Sequence, residues 1–281
     1  MSSIPNIYNE GRECLKNLET PDLDARILLC YSMGLSDIEF LTSPDKVLLS
    51  SQVKRYRRLI ERRLQGVPVA YLTGIKEFWS LTFHVSRGVL IPRPETEQII
   101  ECVLEEKAGN EEVIVDLCTG SGNIAISLAK EIPDCTVFAV DVSRKVLWTA
   151  RQNASRLETP NVHFLKGSLF QPLRKLSLER KCDFIVSNPP YVGAEQWHSL
   201  PDGIRLFEPK SALVSGDSGF EIIDQIVRES PVFLKPHGKL VFEIGIGQRD
   251  RALSLFGEEW GDAACLKDLS GIPRIITATL K

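Results

Sequence analysis

Residues 113–129 read VIVDLCTGSGNIAISLA, and the order of residue types in this stretch decides the fold class. Val113 to Leu117 form a short apolar run broken only by Asp116. Gly120 and Gly122 then punctuate a turn, and Asn123 to Ala129 continue with helical spacing. A strand, a glycine turn and a helix in that order form the opening unit of a parallel sheet. Such a turn leaves backbone N–H groups exposed at the start of a helix, where a ligand can approach closely.

The same alternation continues outward. CTVFAVDVS (135–143) reads as a strand and RKVLWTARQNASRL (144–157) as a helix. NVHFLKGSLF (161–170) holds a shorter strand, and CDFIVSNPPY (182–191) holds another. GFEIIDQIVRESPVFL (219–234) reads as a helix, GKLVFEIG (238–245) as a strand, and CLKDLSGIPRIITATL (265–280) offers two more strands. Short apolar runs alternating with helical patterns predict an α/β fold with a doubly wound, mostly parallel sheet, whose strands are buried on both faces.

Upstream the pattern changes. DLDARILLCYSMGL (22–35) is helical, with Gly34 as its C-cap. SPDKVLLSSQVKRYRRLIERRLQG (43–66) reads as one or two helices, with Ser43 as N-cap and Pro44 in the first turn. In KEFWSLTFHVSRGVLIPRP (76–94), Phe78, Leu81, Phe83 and Val85 predict a strand, and Ser86-Arg87-Gly88 a turn into Val89–Pro92. The expected organisation is a small all-helical domain at 1–75, a β-hairpin linker at 76–94 and the sheet domain at 95–281.

Composition excludes several classes. With 43% hydrophobic and 25% charged residues and a net charge of −3, the chain has no bulk affinity for nucleic acid and no apolar run of membrane-spanning length. Residues 1–75 hold 10 of the 34 basic and 9 of the 37 acidic residues. The one dense basic run, KRYRRLIERR (54–63), reads first as a solvated helix face; a contact to a substrate protein or to RNA is the sharper alternative. Seven scattered cysteines without a CxxC pair give no metal-ligand spacing, and they fit a reducing cytoplasm. The start, MSSIPNIYNEGREC, lacks the apolar segment of a signal peptide. The four histidines share no motif, so no His-based catalytic group is expected.

Asp141 ends the strand after the glycine turn, 21 residues beyond Gly120, where a carboxylate can accept hydrogen bonds from both ribose hydroxyls. The loop lacks both GxGxxG and GxxxxGK[ST], which disfavours a dinucleotide or a nucleoside triphosphate. Acid-x-x-x-Gly-x-Gly, here Asp116 to Gly122, resembles the signature of S-adenosylmethionine-dependent methyltransferases; Cys118 stands where the commonest pattern has its first glycine. Asn188-Pro189-Pro190-Tyr191 ends a later strand of the same sheet. Its prolines stop the strand rigidly, Asn188 offers a carbonyl acceptor, and Tyr191 offers a flat face. Acceptors that hold both N–H bonds of a planar –NH2 polarise its nitrogen and set it in line with a methyl donor.

Further segments carry a closer resemblance: GVPVAYLTGIKEFWSLTFHV (66–85), VLIPRPETEQII (89–100), DLCTGSGNIAISLA (116–129), SNPPYV (187–192), EPKSAL (208–213) and FEIGIGQ (242–248). Over nearly its whole length the chain resembles the release factor glutamine N5-methyltransferases, the HemK/PrmC family. The resemblance implies a seven-stranded catalytic domain and a substrate-recognition role for the helical domain. The implied reaction is methyl transfer from S-adenosylmethionine, leaving S-adenosylhomocysteine, to the Gly-Gly-Gln glutamine of peptide chain release factors. It implies Asn188, Pro189, Pro190 and Tyr191 as the catalytic corner, and Cys118, Thr119, Gly120, Ser121, Gly122, Asp141 and Asn188 as cofactor ligands, with no metal. Pro92 and Arg93 are expected either at the active-site wall or in the core. Ser168 and Leu169 depart from the acidic-aromatic pair usual in the family beside the adenine. The alternatives are a ribosomal-protein glutamine methyltransferase, disfavoured by PRPETE, and a DNA or RNA amino-methyltransferase. The latter needs a base-reading domain larger and more basic than residues 1–94 provide.

Overall fold

The computed structural model describes residues 3–107, 109 and 111–281; Met1, Ser2, Ala108 and Asn110, which fall within the expected 1–75 and 95–281 segments, lie outside the described residues. Two compact units emerge, one of residues 1–75 with 202–207 and one of 76–201 with 208–281.

The first unit contains α1 (Ile4–Cys14), α2 (Pro21–Met33), α3 (Asp37–Thr42), α4 (Ser50–Leu64) and α5 (Val69–Thr73). Its core joins Ile4 and Ile7 to Leu28, Leu29, Tyr56, Leu59 and Ile60, with Phe207 packed against them. Gly34 ends α2 in the left-handed conformation, as expected of a glycine C-cap. The expected helix start at Ser43 and Pro44 is wrong. Ser43 closes α3 by donating its N–H to the Glu39 carbonyl at 2.9 Å, and the next helix begins only at Ser50. There the Gln52 side chain accepts the Leu49 N–H at 3.0 Å, a cap supplied from inside the helix rather than by an upstream serine. The basic run lies on α4, and half of it faces its own unit. Arg57 grips Glu10 at 2.6 and 2.8 Å, Arg63 pairs with Asp24 at 2.7 Å, and Arg55 lies 4.4 Å from the Tyr31 ring centre. Lys54, Arg58 and Arg62 remain on the exposed face.

At the boundary, β1 (Ile75–Phe78), whose first residue belongs to the first unit, and β2 (Leu81–His84) pair as a two-stranded sheet. The hairpin turn is Trp79-Ser80, inside the stretch expected as one strand; the expected turn at Ser86-Arg87-Gly88 also forms, the Val89 N–H donating to the Ser86 carbonyl at 2.9 Å. Trp79 and Ser80 both take positive φ, 49° and 55°, which suits a tight hairpin whose twist matches its strands. Without Asn or Gly at those positions the turn carried no sequence signal.

The remaining order is α6 (Glu97–Glu106), β3 (Val113–Leu117), α7 (Asn123–Glu131), β4 (Thr136–Asp141), α8 (Arg144–Arg156), β5 (Val162–Lys166), α9 (Gln171–Arg174), β6 (Cys182–Ser187), α10 (Asp202–Arg205, in the first unit), α11 (Glu221–Phe233), β7 (Leu234–Glu243), α12 (Arg249–Leu253), β8 (Trp260–Lys267) and β9 (Pro273–Leu280). The seven strands run in the order β5-β4-β3-β6-β7-β9-β8, parallel except where β9 meets β7 and β8. The sheet is the doubly wound, mostly parallel one that the alternation predicts.

Successive strand residues enter different cores, because side chains alternate across a sheet. Val115, Ile185, Leu240 and Phe242 pack with Ile223, Ile226 and Val227 of α11. Ile114, Phe184, Val186 and Val241 pack with Ile99, Ile100 and Val103 of α6 and with α7. The chain turns outward from β3 to β4 and β5 in one direction and from β6 to β7 in the other. Between β3 and β6 the winding reverses, and at that point the carboxyl ends of adjacent strands open a crevice. Leu117 stands opposite Ser187 there, so the glycine turn and the Asn188 corner emerge side by side.

Candidate functional site

The glycine turn follows β3 through residues of left-handed backbone: Cys118 at φ 61°, Gly120 at 58° and Gly122 at 81°. Cys118 thus adopts the conformation for which a glycine is usual, accepting strain of about 1 kcal/mol. Asp116, fully buried beneath the turn, holds it. One carboxyl oxygen accepts the Thr119 O–H at 2.5 Å and the Ala125 N–H at 3.3 Å, while the other has no hydrogen-bond partner among the described residues. Burial pushes the Asp116 pKa up to about 7, against the pull of those two donors. The Thr119 N–H donates to the Val140 carbonyl at 3.0 Å and ties the turn to β4. Ser121 gives its hydroxyl proton to Asn123 at 3.0 Å, so both loop hydroxyls are already engaged inside the fold. Asn153 of α8 braces the turn from behind, donating to the Ser121 carbonyl at 2.9 Å and the His84 carbonyl at 3.1 Å.

Asp141, at the end of β4, accepts the Gly120 N–H at 3.2 Å on one oxygen and the Ser143 N–H at 2.9 Å on the other. Burial raises its pKa, and the N–H groups of Ser143, Gly120 and Val142 oppose the rise. The cavity at this edge is lined by Cys118, Gly120 and Asp141, by Ser168 and Leu169, by the apolar Val142, Val146 and Ile222, and by Asn188 and Pro190. A carboxylate with spare lone pairs beside apolar side chains has the chemistry to accept the hydroxyls of a nucleoside and to cover its flat base. The donor set therefore fits a cofactor of that class.

Two smaller cavities adjoin. One is lined by Pro92, by Cys118 to Ser121, and by Asn123, Ile124, Leu90 and Asn188. The other is lined by Leu90, Arg93, Asn188, Pro189, Tyr191, Ala212 and Leu213. Asn188 and Leu90 border all three. Of the expected site residues, Asn188, Cys118 and Gly120 meet at the shared region, Asp141 and Pro190 face only the large cavity, and Pro189 and Tyr191 face only the third. Thr119 and Ser121 line the second cavity alone. Gly122 lines none of the three. A Cβ there would sit 2.9 Å from Ile126 and 3.2 Å from Ala150, so this glycine lets α7 and α8 close up behind the turn.

The corner is held from afar. The Asn188 Nδ2 donates to Thr96 Oγ1 at 3.0 Å, and the Thr96 hydroxyl donates to Glu243 at 2.5 Å. The Tyr191 O–H donates to the other Glu243 oxygen at 3.1 Å, and Gln248 Nε2 donates to the Tyr191 carbonyl at 2.8 Å. Among the described residues, Asn188 Oδ1 has no hydrogen-bond partner. Burial raises the pKa of Glu243, opposed by the donors Thr96 and Tyr191 and by the charge of Arg274. Burial and the neighbouring Glu243 charge hold the Tyr191 phenol far above its usual value, so Tyr191 stays neutral and supplies its ring and hydroxyl only as surface and donor. Arg93 forms an ion pair with the buried Glu208, which also accepts the Ile91 N–H at 3.1 Å. Sequence reasoning missed Thr96 and Glu243. Both sit inside quoted segments, VLIPRPETEQII and FEIGIGQ, yet no local pattern reveals that they meet.

The chain matches two family models, the PrmC N-terminal domain over residues 6–74 and a methyltransferase domain over residues 108–245. It is 38% identical to the release factor glutamine methyltransferase of Aliivibrio fischeri, over 87% of this chain and 84% of that one. The enzyme of the same name from Nitratidesulfovibrio vulgaris is 37% identical, over 99% and 95%. That from Bacillus subtilis is 36% identical, over 91% and 90%. Among solved structures, the catalytic domain of hMettl16 in complex with an RNA hairpin superposes with a TM-score of 0.57 at 14% identity, covering 74% of this chain and 79% of that one. At that identity the likeness establishes the fold alone. Among the described residues, no helix is long and apolar enough to cross a membrane.

Proposed function

The chain belongs to the release factor glutamine methyltransferase family and is a methyltransferase, and from that premise we propose its substrate, cofactor and working residues. The enzyme transfers the methyl group of S-adenosylmethionine to the side-chain amide nitrogen, N5, of the glutamine in the Gly-Gly-Gln motif of peptide chain release factors. One observation carries this reading: Asn188 borders all three cavities and, with Nδ2 bound to Thr96, is left with a free carbonyl oxygen for an –NH2 donor.

Asp141 would hold the ribose hydroxyls, and Val142, Val146, Leu169 and Ser168, which line the same cavity, would hold the adenine. Backbone from Cys118 to Gly122 faces the amino-acid end of the cofactor; Thr119 and Ser121 contribute there through the main chain. When bound, S-adenosylmethionine supplies a methyl on positive sulfur: the N–C bond forms as the C–S bond breaks, its electron pair stays on sulfur, and the amide proton leaves to solvent. Asn188 Oδ1 and the carbonyls of the Pro189-Pro190 turn accept the N–H bonds of the acceptor amide. That contact holds the nitrogen lone pair toward the methyl and raises its electron density. Tyr191 gives the planar amide a flat wall, and Arg93 borders the same cavity. A strong general base is unnecessary, because the sulfonium is a good leaving group and the proton departs after transfer.

Residues 1–75 serve substrate recognition, with Lys54, Arg58 and Arg62 on the exposed face of α4. A release-factor substrate places the enzyme in the cytoplasm and requires neither a membrane nor direct contact with nucleic acid. The test is incubation with methyl-labelled S-adenosylmethionine and a release factor, followed by peptide mapping. Label on the Gly-Gly-Gln glutamine is expected; label on another residue, or only on added DNA or ribosomal protein, overturns the reading.

A further inference from the structure

We propose that Thr96 and Glu243 are positioning residues for the transfer, and that they set the direction of the Asn188 amide. The inference rests on the role assigned to Asn188 above. An asparagine amide is nearly symmetric in shape, and its two ends differ only in whether they donate or accept. If Asn188 were free to turn over, its –NH2 would face the –NH2 of the acceptor, two donors opposed.

The buried hydrogen bonds remove that freedom. Glu243 ends β7, the strand beside β6. Phe242 pairs with Ser187, which brings Glu243 level with Asn188. At 2% exposure its carboxylate has no access to bulk water, and each oxygen takes one proton, from Thr96 and from Tyr191. The Thr96 hydroxyl gives its only proton to Glu243, which leaves only lone pairs for Asn188. The Nδ2 end consequently faces Thr96, and Oδ1 faces the cavities. Tyr191 hangs on the same side chain, so both functional side chains of the corner take their orientation from one buried glutamate. Thr96 is 1% exposed and borders none of the three cavities, so it acts through Asn188 and not on a ligand.

Thr96→Val keeps the volume and deletes the hydroxyl; Thr96→Ser restores it. With the full-length enzyme, a release factor and S-adenosylmethionine, Thr96→Val is expected to lower kcat by about tenfold to a hundredfold, the scale of losing an aligned polar contact at a reacting centre. The KM for the release factor and the Kd for the cofactor should stay within about twofold, since neither binding contact is touched. Thr96→Ser should return kcat to within about threefold of the parent. Should Thr96→Val not fold, Thr96→Cys, close in volume and a weak donor, takes its place. Native kcat in Thr96→Val, or a serine variant no better than the valine one, overturns the positioning role. Asn188→Ala, measured alongside, separates the two levels. If it alone keeps native turnover, the reading of Asn188 fails and the positioning role falls with it. If it is inactive while Thr96→Val is fully active, only the positioning role fails.

Discussion

The glycine turn after β3 and the corner after β6 leave neighbouring strands at the same level, yet they are built in opposite ways. The turn is held from nearer by: Asp116 to Thr119, Asp116 to Ala125, Gly120 to Asp141 across 21 residues and Asn153 to Ser121 across 32. The corner is held by strangers: Asn188 to Thr96 across 92 residues and Tyr191 to Glu243 across 52. A locally held loop presents backbone, whose direction follows from φ and ψ, and it tolerates Cys118 where a glycine is usual. A remotely held corner presents an amide whose direction nothing local determines. In the proposed function, cofactor binding rests on the first kind of construction, and the orientation of the acceptor amide on the second.

If that contrast is right, changes at the corner alter chemistry and changes at the turn alter affinity or stability. The largest effect is expected at the corner itself. Asn188→Ala should reduce kcat by about a thousandfold, the scale of removing an oriented acceptor from a closed site, while cofactor Kd measured by calorimetry stays within about twofold. A parallel loss of cofactor affinity would erase the distinction. Beneath the turn, Asp116 should show itself in stability. Its folded pKa, about 7, is raised above its unfolded value of 3.8, so its contribution is fully present below pH 3.8 and is lost as pH rises through 7. Asp116→Asn removes that charge. Urea melts of the two proteins should therefore shift relative to one another, in favour of the variant, by at most about 4 kcal/mol between pH 4 and pH 7.5. A pH-independent difference would mean that Asp116 does not titrate in this range.

At the rim, Asp141→Ala should weaken the cofactor Kd by about tenfold to a hundredfold, the value of a hydrogen-bonded charge, with kcat at saturating cofactor reduced far less. The smallest effect is expected at Cys118→Gly. Relief of left-handed strain and the added freedom of the unfolded chain nearly offset, which leaves stability within about 0.5 kcal/mol by urea melt. A large loss there would show that the Cys118 thiol, and not just its backbone, supports the turn.

Much of the fold was legible because it is periodic. Apolar runs at Val113–Leu117, Thr136–Asp141 and Cys182–Ser187 alternate with helical patterns, and both faces of the first and last of these strands are largely buried. What failed to show was aperiodic. The Trp79-Ser80 turn contains neither Asn nor Gly, and the cap of α4 comes from Gln52 inside the helix. α6 follows a proline-rich segment that reads as a stop, although Ile99, Ile100, Cys102 and Val103 form a buried helical stripe. At the candidate site, Gly120, Asp141 and Asn188 could be named because each ends an apolar strand or opens a turn. Thr96 and Glu243 could not, since the chemistry of each depends on a partner far away in sequence.

By itself, then, the sequence determined the residue types: an acid under a glycine turn, a second acid at the next strand end, an amide and a phenol at a proline stop, and the motif set that marks the family. Those follow from local rules of periodicity and turn chemistry, which need no knowledge of what lies opposite. Only the tertiary structure decided that β6 lies against β3, so that turn and corner share one crevice. It alone decided that a buried glutamate from β7 and a threonine ahead of α6 aim the amide. The reason is physical: which end of Asn188 faces outward depends on the supply of protons and lone pairs around it, and that supply exists only once distant segments are packed together.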